Sequence, residues 1–335
     1  MLRSFLTKQV HFGLYNTSTI LQRTMSTVPT MKAVVVKENG GRDKLIYEDV
    51  PRPSATLGNV VIKNQFIGKT LSCSFFLSSG EVVELGEGVT DFKIGDRVVH
   101  MGGNGYAEFS EVSATSVEKI THDVSYETAA AGALQGLTAL TMVKSGYPVA
   151  KDDYILVHAA AGGVGLLLCQ LGKHLGAKVI GTASTDEKCQ LAKENGATYT
   201  INSKTEDIVA RVNEITGGLG CHAVLDGVGK ATFEVSMQCA RRLGTMISFG
   251  NASGAVDPIS IAILAQKNLK LMRPTLYNYM ATREESRYWY DELFKLVEQG
   301  VLKFHVHKVY DLKDAAQAQQ DLEGRITTGK LLLRP

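Results

Sequence analysis

HAAAGGVG, residues 158–165, is the stretch on which the reading of this chain turns. It follows the short apolar run DYILV (153–157). It opens a segment in which Val164, Leu167, Leu168, Leu171 and Leu175 recur at helical spacing until Gly176 ends it. Strand, glycine turn and helix in that order put backbone N–H groups at a helix N-terminus, where the helix dipole favours an anion such as a pyrophosphate. Gly162 lets the backbone approach a phosphate, and Gly165 lets the helix lie close to the strand. The first slot of the usual glycine trio holds Ala160, which asks only that the turn avoid a positive φ there.

The next strand, KVIGTAS (178–184), qualifies the anion. Loops of this kind that hold NAD carry an acid at the tip of the second strand, about 20 residues on, for the ribose 2′-hydroxyl. Here the tip is GTAST (181–185), with no acid. Asp186 and Glu187 come after it, in what reads as the first turn of a helix capped by Ser184 or Thr185, a place that favours acids in any case. Lys188 lies one turn in, within reach of a 2′-phosphate, so the expected cofactor is NADPH rather than NADH.

Outward from this loop the text alternates. TYTIN, a helix over SKTEDIVARVNEITGG with a Ser/Thr start, HAVLDGV, a helix running to Arg242, and GTMISFG continue a strand–helix pattern that means a parallel sheet covered on both faces. Residues 31–127 read instead as short strands punctuated by Gly, Pro and Asp, a β-rich domain. A helix around SRYWYDELFKLVEQG, the strand HVHKVY, a helix over LKDAAQAQQDLEGR and the last strand GKLLLRP return to it. The fold class is therefore α/β: a doubly wound parallel sheet over 128–270 and a β-rich domain over 31–127 with 271–335.

Residues 1–30 are a different text: three basic residues (Arg3, Lys8, Arg23), no acid before Glu38, and Leu2, Leu6, Val10 and Leu14 on one helical face. That is the composition of a mitochondrial targeting segment. Met25 and Met31 are possible internal starts for a cytosolic form. Without the leader the chain holds 33 basic and 34 acidic residues, no polyanion-binding surface. No apolar run approaches the ~18 residues of a bilayer span. The five cysteines lack metal-site or disulfide spacing and read as buried thiols. His305 and His307 share a strand face, where a satisfied edge pair is the plainer reading than a metal site.

Read with LQGLTA (134–139), IGDRVV (94–99), SFGNASG (248–254) and RPTLYNY (273–279), the loop resembles that of the zeta-crystallin-like NADPH:quinone oxidoreductases of the medium-chain dehydrogenase/reductase superfamily. The likeness runs from about Met31 to Pro335. It implies a Rossmann domain beside a GroES-like domain, a homodimer, no zinc, and reduction of quinones or activated α,β-unsaturated carbonyls by NADPH. It assigns Gly162, Gly163, Val164 and Gly165 to the pyrophosphate, and Lys188 to the 2′-phosphate. Ser203 takes the place of a Tyr or His near the adenine ribose, a contact weakened here. Arg325 approaches the cofactor, Phe249, Gly250 and Asn251 edge the nicotinamide pocket, and Thr138 lies near the nicotinamide ribose. The GHE segment and the four-cysteine lobe of zinc-dependent relatives do not occur.

The likeness breaks after NQFIG. The link KTLSCSFFLSS, Lys69–Ser79, is about half the length of the relatives' segment, which carries their nicotinamide-side Asn and a substrate-pocket Tyr. The GroES-like domain is thus partly truncated and no residue is assigned as proton donor. Tyr277 and Tyr279 border the cleft in relatives, with a core role the plainer reading. The expectation is that cofactor binding survives and turnover suffers. Two other functions stay open: an NADPH-binding protein with a non-catalytic role, such as AU-rich RNA binding, which the −1 body disfavours, and a mitochondrial 2-enoyl thioester reductase.

Overall fold

The computed structural model describes residues 29–38, 40–69, 77–102, 105–120, 123–324 and 327–335. Most of the expected leader, Cys73, the centre of the short link and Arg325 lie outside the described residues.

The first part is β-rich. Strands β1 (Thr30–Val35) and β2 (Ile46–Pro51) pair with each other. A larger sheet takes β3 (Asn59–Gly68), β4 (Leu77–Leu85), β5 (Arg97–Met101), β6 (Phe109–Ser113) and β7 (Val117–Lys119). Val60, Ile62, Val82, Val98 and Val112, β-branched residues suited to a pleated half-buried surface, form its inner face. The ladder between β3 and β4 continues to its end, Gly68 opposite Leu77. Leu77, Ser78 and Ser79, read above as link, are buried strand residues paired with β5, because Leu77 fills the core and the strand needs partners for its N–H groups.

Helix α1 (Tyr126–Thr141), capped by Ser125 accepting from the Thr128 N–H at 3.0 Å, joins the two halves. Ala130 and Ala131 face Phe66 and Leu332 of the β domain, while Ala133, Leu137 and Leu140 join the other core. Gly132 is required here: a Cβ would stand 2.3 Å from the Phe304 ring.

Then the alternation begins: β8 (Tyr154–Val157), α2 (Gly163–His174), β9 (Lys178–Ala183), α3 (Asp186–Glu194), β10 (Tyr199–Asn202), α4 (Ile208–Thr216), β11 (Cys221–Asp226), α5 (Phe233–Cys239), β12 (Ala240–Ser248) and β13 (Lys270–Met272). The strands are parallel in the order β10-β9-β8-β11-β12-β13. Alternation along β8 fills both faces: Ile155 and Val157 pack with Leu167, Leu168 and Leu171 of α2, and Leu156 packs with Ile180, Ile201 and Val224 on the other side. Two helices differ from expectation. α4 begins at Asp207, whose carboxylate caps the Ala210 N–H at 3.0 Å, because Ser203–Glu206 form a turn on the Asn202 carbonyl. α5 ends at Cys239 rather than Arg242, since Ala240 already enters β12.

The chain closes with α6 (Arg283–Glu298), opened by a Thr282–Glu285 capping box, then β14 (Val306–Asp311), α7 (Ala315–Glu323) and β15 (Lys330–Arg334). β15 pairs with both β14 and β3, which returns the C-terminus to the β-domain sheet.

Candidate active site

The strand order reverses between β8 and β11, and in open α/β sheets ligands lodge in the crevice beyond the strand ends at such a point. The crevice here is a cleft of about 1910 Å³ between the two sheets. One wall is the loop after β8. Its left-handed residue is Ala159 (φ 50), one position ahead of the slot that the sequence singled out, and Ala160 is fully buried with its N–H donating to the Thr182 carbonyl at 2.8 Å. The Gly162 N–H closes the turn on the Ala159 carbonyl at 2.8 Å. α2 then starts with no side chain capping its N-terminus, which leaves its first N–H groups to a ligand or water.

The glycines differ in their reasons. A Cβ on Gly165 would stand 2.3 Å from the Ala159 oxygen and under 3.0 Å from Ala160 backbone, so helix and loop touch there; Gly165 supports the cleft without lining it. A Cβ on Gly163 would meet the Gln135 amide at 2.3 Å, the far end of a flexible side chain, and one on Gly162 only the Ala159 oxygen at 3.1 Å.

Gly162, Gly163, Val164, Thr138, Lys188, Ser203 and Phe249 all line this cleft. Lys188 makes no ion pair among the described residues; its backbone N–H is held by the Thr185 hydroxyl at 3.3 Å. Asp186 accepts from the Asn202 amide at 2.8 Å and Glu187, held low by hydrogen bonds from its own N–H and the Thr185 hydroxyl, is exposed. Neither acid lines the cleft. The Ser203 hydroxyl donates to the Ala183 carbonyl at 3.1 Å, and that of Thr138 to the Leu134 carbonyl at 2.7 Å. Gly250 and Asn251 do not line the cleft: Gly250 presses on the Gly227 carbonyl, 2.4 Å from where its Cβ would be, and Asn251 is exposed. Their neighbours Ala252 and Ser253 take that wall. Tyr277 lines the cleft, 45% exposed, whereas Tyr279 packs edge-on against Trp289, ring centroids 6.2 Å apart.

Several lining residues escaped the sequence reading. Leu134 and Gln135 come from α1, which its Ser125 cap and alanine-rich run could have disclosed. His158, 2% exposed, shares a hydrogen bond between Nδ1 and the Thr182 hydroxyl at 3.1 Å, and burial depresses its pKa. Arg273 donates to the Ser248 carbonyl at 2.6 Å. Beneath the cleft Asp226 is wholly buried and accepts from the Val228 and Gly229 N–H groups and the Thr232 and Ser236 hydroxyls. It has no cationic partner among the described residues. Its four donors compensate the charge and fix the loop that carries Phe249, whose N–H donates to the Asp226 carbonyl at 2.8 Å.

With this geometry in view, the relatives are informative. A quinone oxidoreductase of Salmonella typhimurium is 44% identical over 263 residues, 77% of this chain and 80% of its own length. The chain belongs to the quinone oxidoreductase family. A Pseudomonas aeruginosa quinone oxidoreductase is 38% identical over 316 residues, 97% of its length. Those 316 positions take in 88% of this 335-residue chain, about 295 residues, so some twenty positions of the relative have no counterpart here. The solved Escherichia coli quinone oxidoreductase complexed with NADPH superposes with a TM-score of 0.85 at 37% identity, covering 91% of this chain and 99% of that one. A Burkholderia 2-haloacrylate reductase is 34% identical over 330 residues, 90% of this chain and 98% of its own. The family described as "Zinc-binding dehydrogenase" matches residues 163–296. Among the described residues no three His, Cys, Asp or Glu side chains stand together as a metal site would need. Cys169, Cys189, Cys221 and Cys239 are buried free thiols; burial pushes Cys169 and Cys239 up to about 12.

Proposed function

We propose that this protein uses NADPH to reduce quinones or activated α,β-unsaturated carbonyls. The observation that carries the reading is one wall of one cleft, where an uncapped helix N-terminus lies beside an acid-free strand tip, with Lys188 of α3 lining the same cleft. The residues fit the dinucleotide. Gly162 and Gly163 line the cleft at the uncapped start of α2, whose first N–H groups would hold the pyrophosphate, and the Lys188 ammonium would meet the 2′-phosphate. When bound, the cofactor supplies the reducing equivalents. The chain's part is orientation: Thr138, its proton committed to Leu134, keeps oxygen lone pairs for a ribose hydroxyl, and Phe249 and Val164 keep water from the reacting face. The names of the relatives, quinone oxidoreductases and a 2-haloacrylate reductase, support this acceptor class.

Oxidation of NADPH and of NADH by the purified protein with an ortho-quinone tests it. Turnover should favour NADPH, and Lys188→Ala should raise the KM for NADPH about 10- to 100-fold, as expected for loss of a charged hydrogen-bonding partner, while leaving that for NADH unchanged. Equal use of the two cofactors by the unaltered protein would refute the role of Lys188; no turnover by folded protein that binds NADPH would refute the reductase.

Homodimer formation and delivery to the mitochondrial matrix belong to the same proposal. β13 ends its sheet among the described residues, and edges of this kind pair with a second copy. Size-exclusion mass measurement and cell fractionation test the two.

A further inference from the structure

The β-domain wall of the cleft carries two lysines that the glycine loop does not use. Lys69 follows β3 and Lys330 opens β15, and both line the cleft at exposures of 2% and 3%. Their strands are paired neighbours, with Leu332 opposite Gly68 and the Lys69 N–H donating to the Leu331 carbonyl at 2.9 Å. The Lys330 stem runs along Gly68, where a Cβ would stand 3.1 Å from its Cε. The Lys69 ammonium lies 5.1 Å from the centre of the Tyr106 ring. Among the described residues Lys330 has neither a hydrogen-bond acceptor nor a carboxylate; burial first, and then the charge of Lys69, push its pKa down to about 7.

Burying an ammonium without a partner is costly, and a second ammonium beside it raises the cost. An arrangement of that kind on the wall of an open cleft is complementary to an oxyanion, which accepts from both amines at once. The pair is also near the loop. Gly68 abuts the Ala130 carbonyl of α1, and Gln135, five residues further along that helix, abuts Gly163. Five residues of helix rise only about 7.5 Å, within the length of a dinucleotide and the molecule it reduces.

We propose that Lys69 and Lys330 form a two-lysine site for an oxyanion, phosphate or carboxylate, carried by a molecule in this cleft. The proposal rests on the reading of the cleft as a dinucleotide site and adds a second wall to it. The oxyanion has two sources, a phosphate of the cofactor or a carboxylate of the acceptor.

The test uses the full chain and its Lys330→Met, Lys330→Arg and Lys69→Met variants. One arm measures the NADPH dissociation constant by fluorescence with no acceptor present. The other measures KM for a neutral naphthoquinone and for the same ring bearing a carboxylate. Lys330→Met should weaken one arm about 10- to 100-fold, and Lys330→Arg should largely restore it. A phosphate source weakens NADPH and leaves both quinones alike; a carboxylate source raises KM for the charged quinone only. Titration calorimetry at pH 8 in buffers of different ionisation enthalpy adds a readout that a structural role would not move. Binding should draw a proton onto Lys330 in the unaltered protein and not in Lys330→Met. The charged group that bears on it among the described residues is Lys69, just after β3; the His305 carbonyl accepts its backbone N–H at 2.8 Å, and Glu323 at the end of α7 lines the same cleft. Should Lys330→Met fail to fold, Lys69→Met and Lys330→Gln carry the comparison. Folded variants with neither arm changed by more than twofold overturn the lysine pair alone. An unaltered protein that does not bind NADPH overturns the reading beneath it.

Discussion

Replacing Gly165 by Ala probes the contact on which the loop depends. The added Cβ would stand 2.3 Å from the Ala159 oxygen, 2.8 Å from the Ala160 Cα and 2.9 Å from its carbonyl carbon. Ordinary contact begins near 3.4 Å, so loop and helix must part by about 1 Å, and all three opposing atoms are backbone. Overpacking of this kind costs about 1–3 kcal/mol, and the better helix propensity of Ala returns at most about 1 kcal/mol of it. A net loss of about 1–2 kcal/mol should lower Tm by about 2–8 °C for a folding unit of this size. The same 1 Å lengthens the hydrogen bonds that the first turn of α2 offers a phosphate. Losing one charge-assisted bond of about 1.5–3 kcal/mol weakens binding about 10- to 100-fold. Thermal unfolding and NADPH fluorescence titration measure the two effects. Gly162→Ala is the comparator: its Cβ meets only the Ala159 oxygen, at 3.1 Å, so its Tm should fall less. A Gly165→Ala protein with unaltered Tm and unaltered affinity would show that the helix is not seated on the loop as described.

Two further outcomes follow from buried charge. Asp226→Asn puts two N–H donors where two hydroxyls and two amides already donate, and should cost about 2–4 kcal/mol in urea unfolding; an unchanged midpoint would mean the network is not formed. Lys330 has a folded pKa of about 7 against an ordinary 10.5, so between those values the unfolded chain holds a proton that the native one lacks. Native stability therefore falls as pH drops from 10.5 towards 7. Lys330→Met should exceed the unaltered protein by up to about 5 kcal/mol at pH 7 and by little near pH 10. Urea midpoints at pH 7 and 9.5 that differ equally between the two proteins would contradict the depressed amine.

The extent to which the chain could be read beforehand varies with the range of the forces involved. The helix of Lys188 was legible to within a residue at each end: Thr185, one of the two caps open in the sequence, caps it, and Asn195 with Gly196 ends it, all by hydrogen bonds within four residues. The start of α4 was not, because Ser203 hydrogen-bonds back to Ala183, twenty residues away, and leaves the capping to Asp207. α1 was overlooked because it opens no strand–helix unit; its faces are set by two different sheets. Phe249 lines the cleft while Gly250 and Asn251 do not, since the turn pressing on Gly227 directs them away.

From sequence alone came the alternating strands and helices, the glycine loop between β8 and α2, and the acid-free strand tip beside Lys188. Each is a matter of periodicity, capping or φ, properties that neighbouring residues impose on one another. Tertiary structure alone decided that Ala159 rather than Ala160 carries the left-handed turn, that Asp226 anchors the loop of Phe249, and that Lys69 and Lys330 line one cleft. Those two lysines are far apart in the chain, and they share a wall only because β15 pairs with β3. Strand pairing of that range depends on how the whole core closes, and no local pattern of residues encodes it.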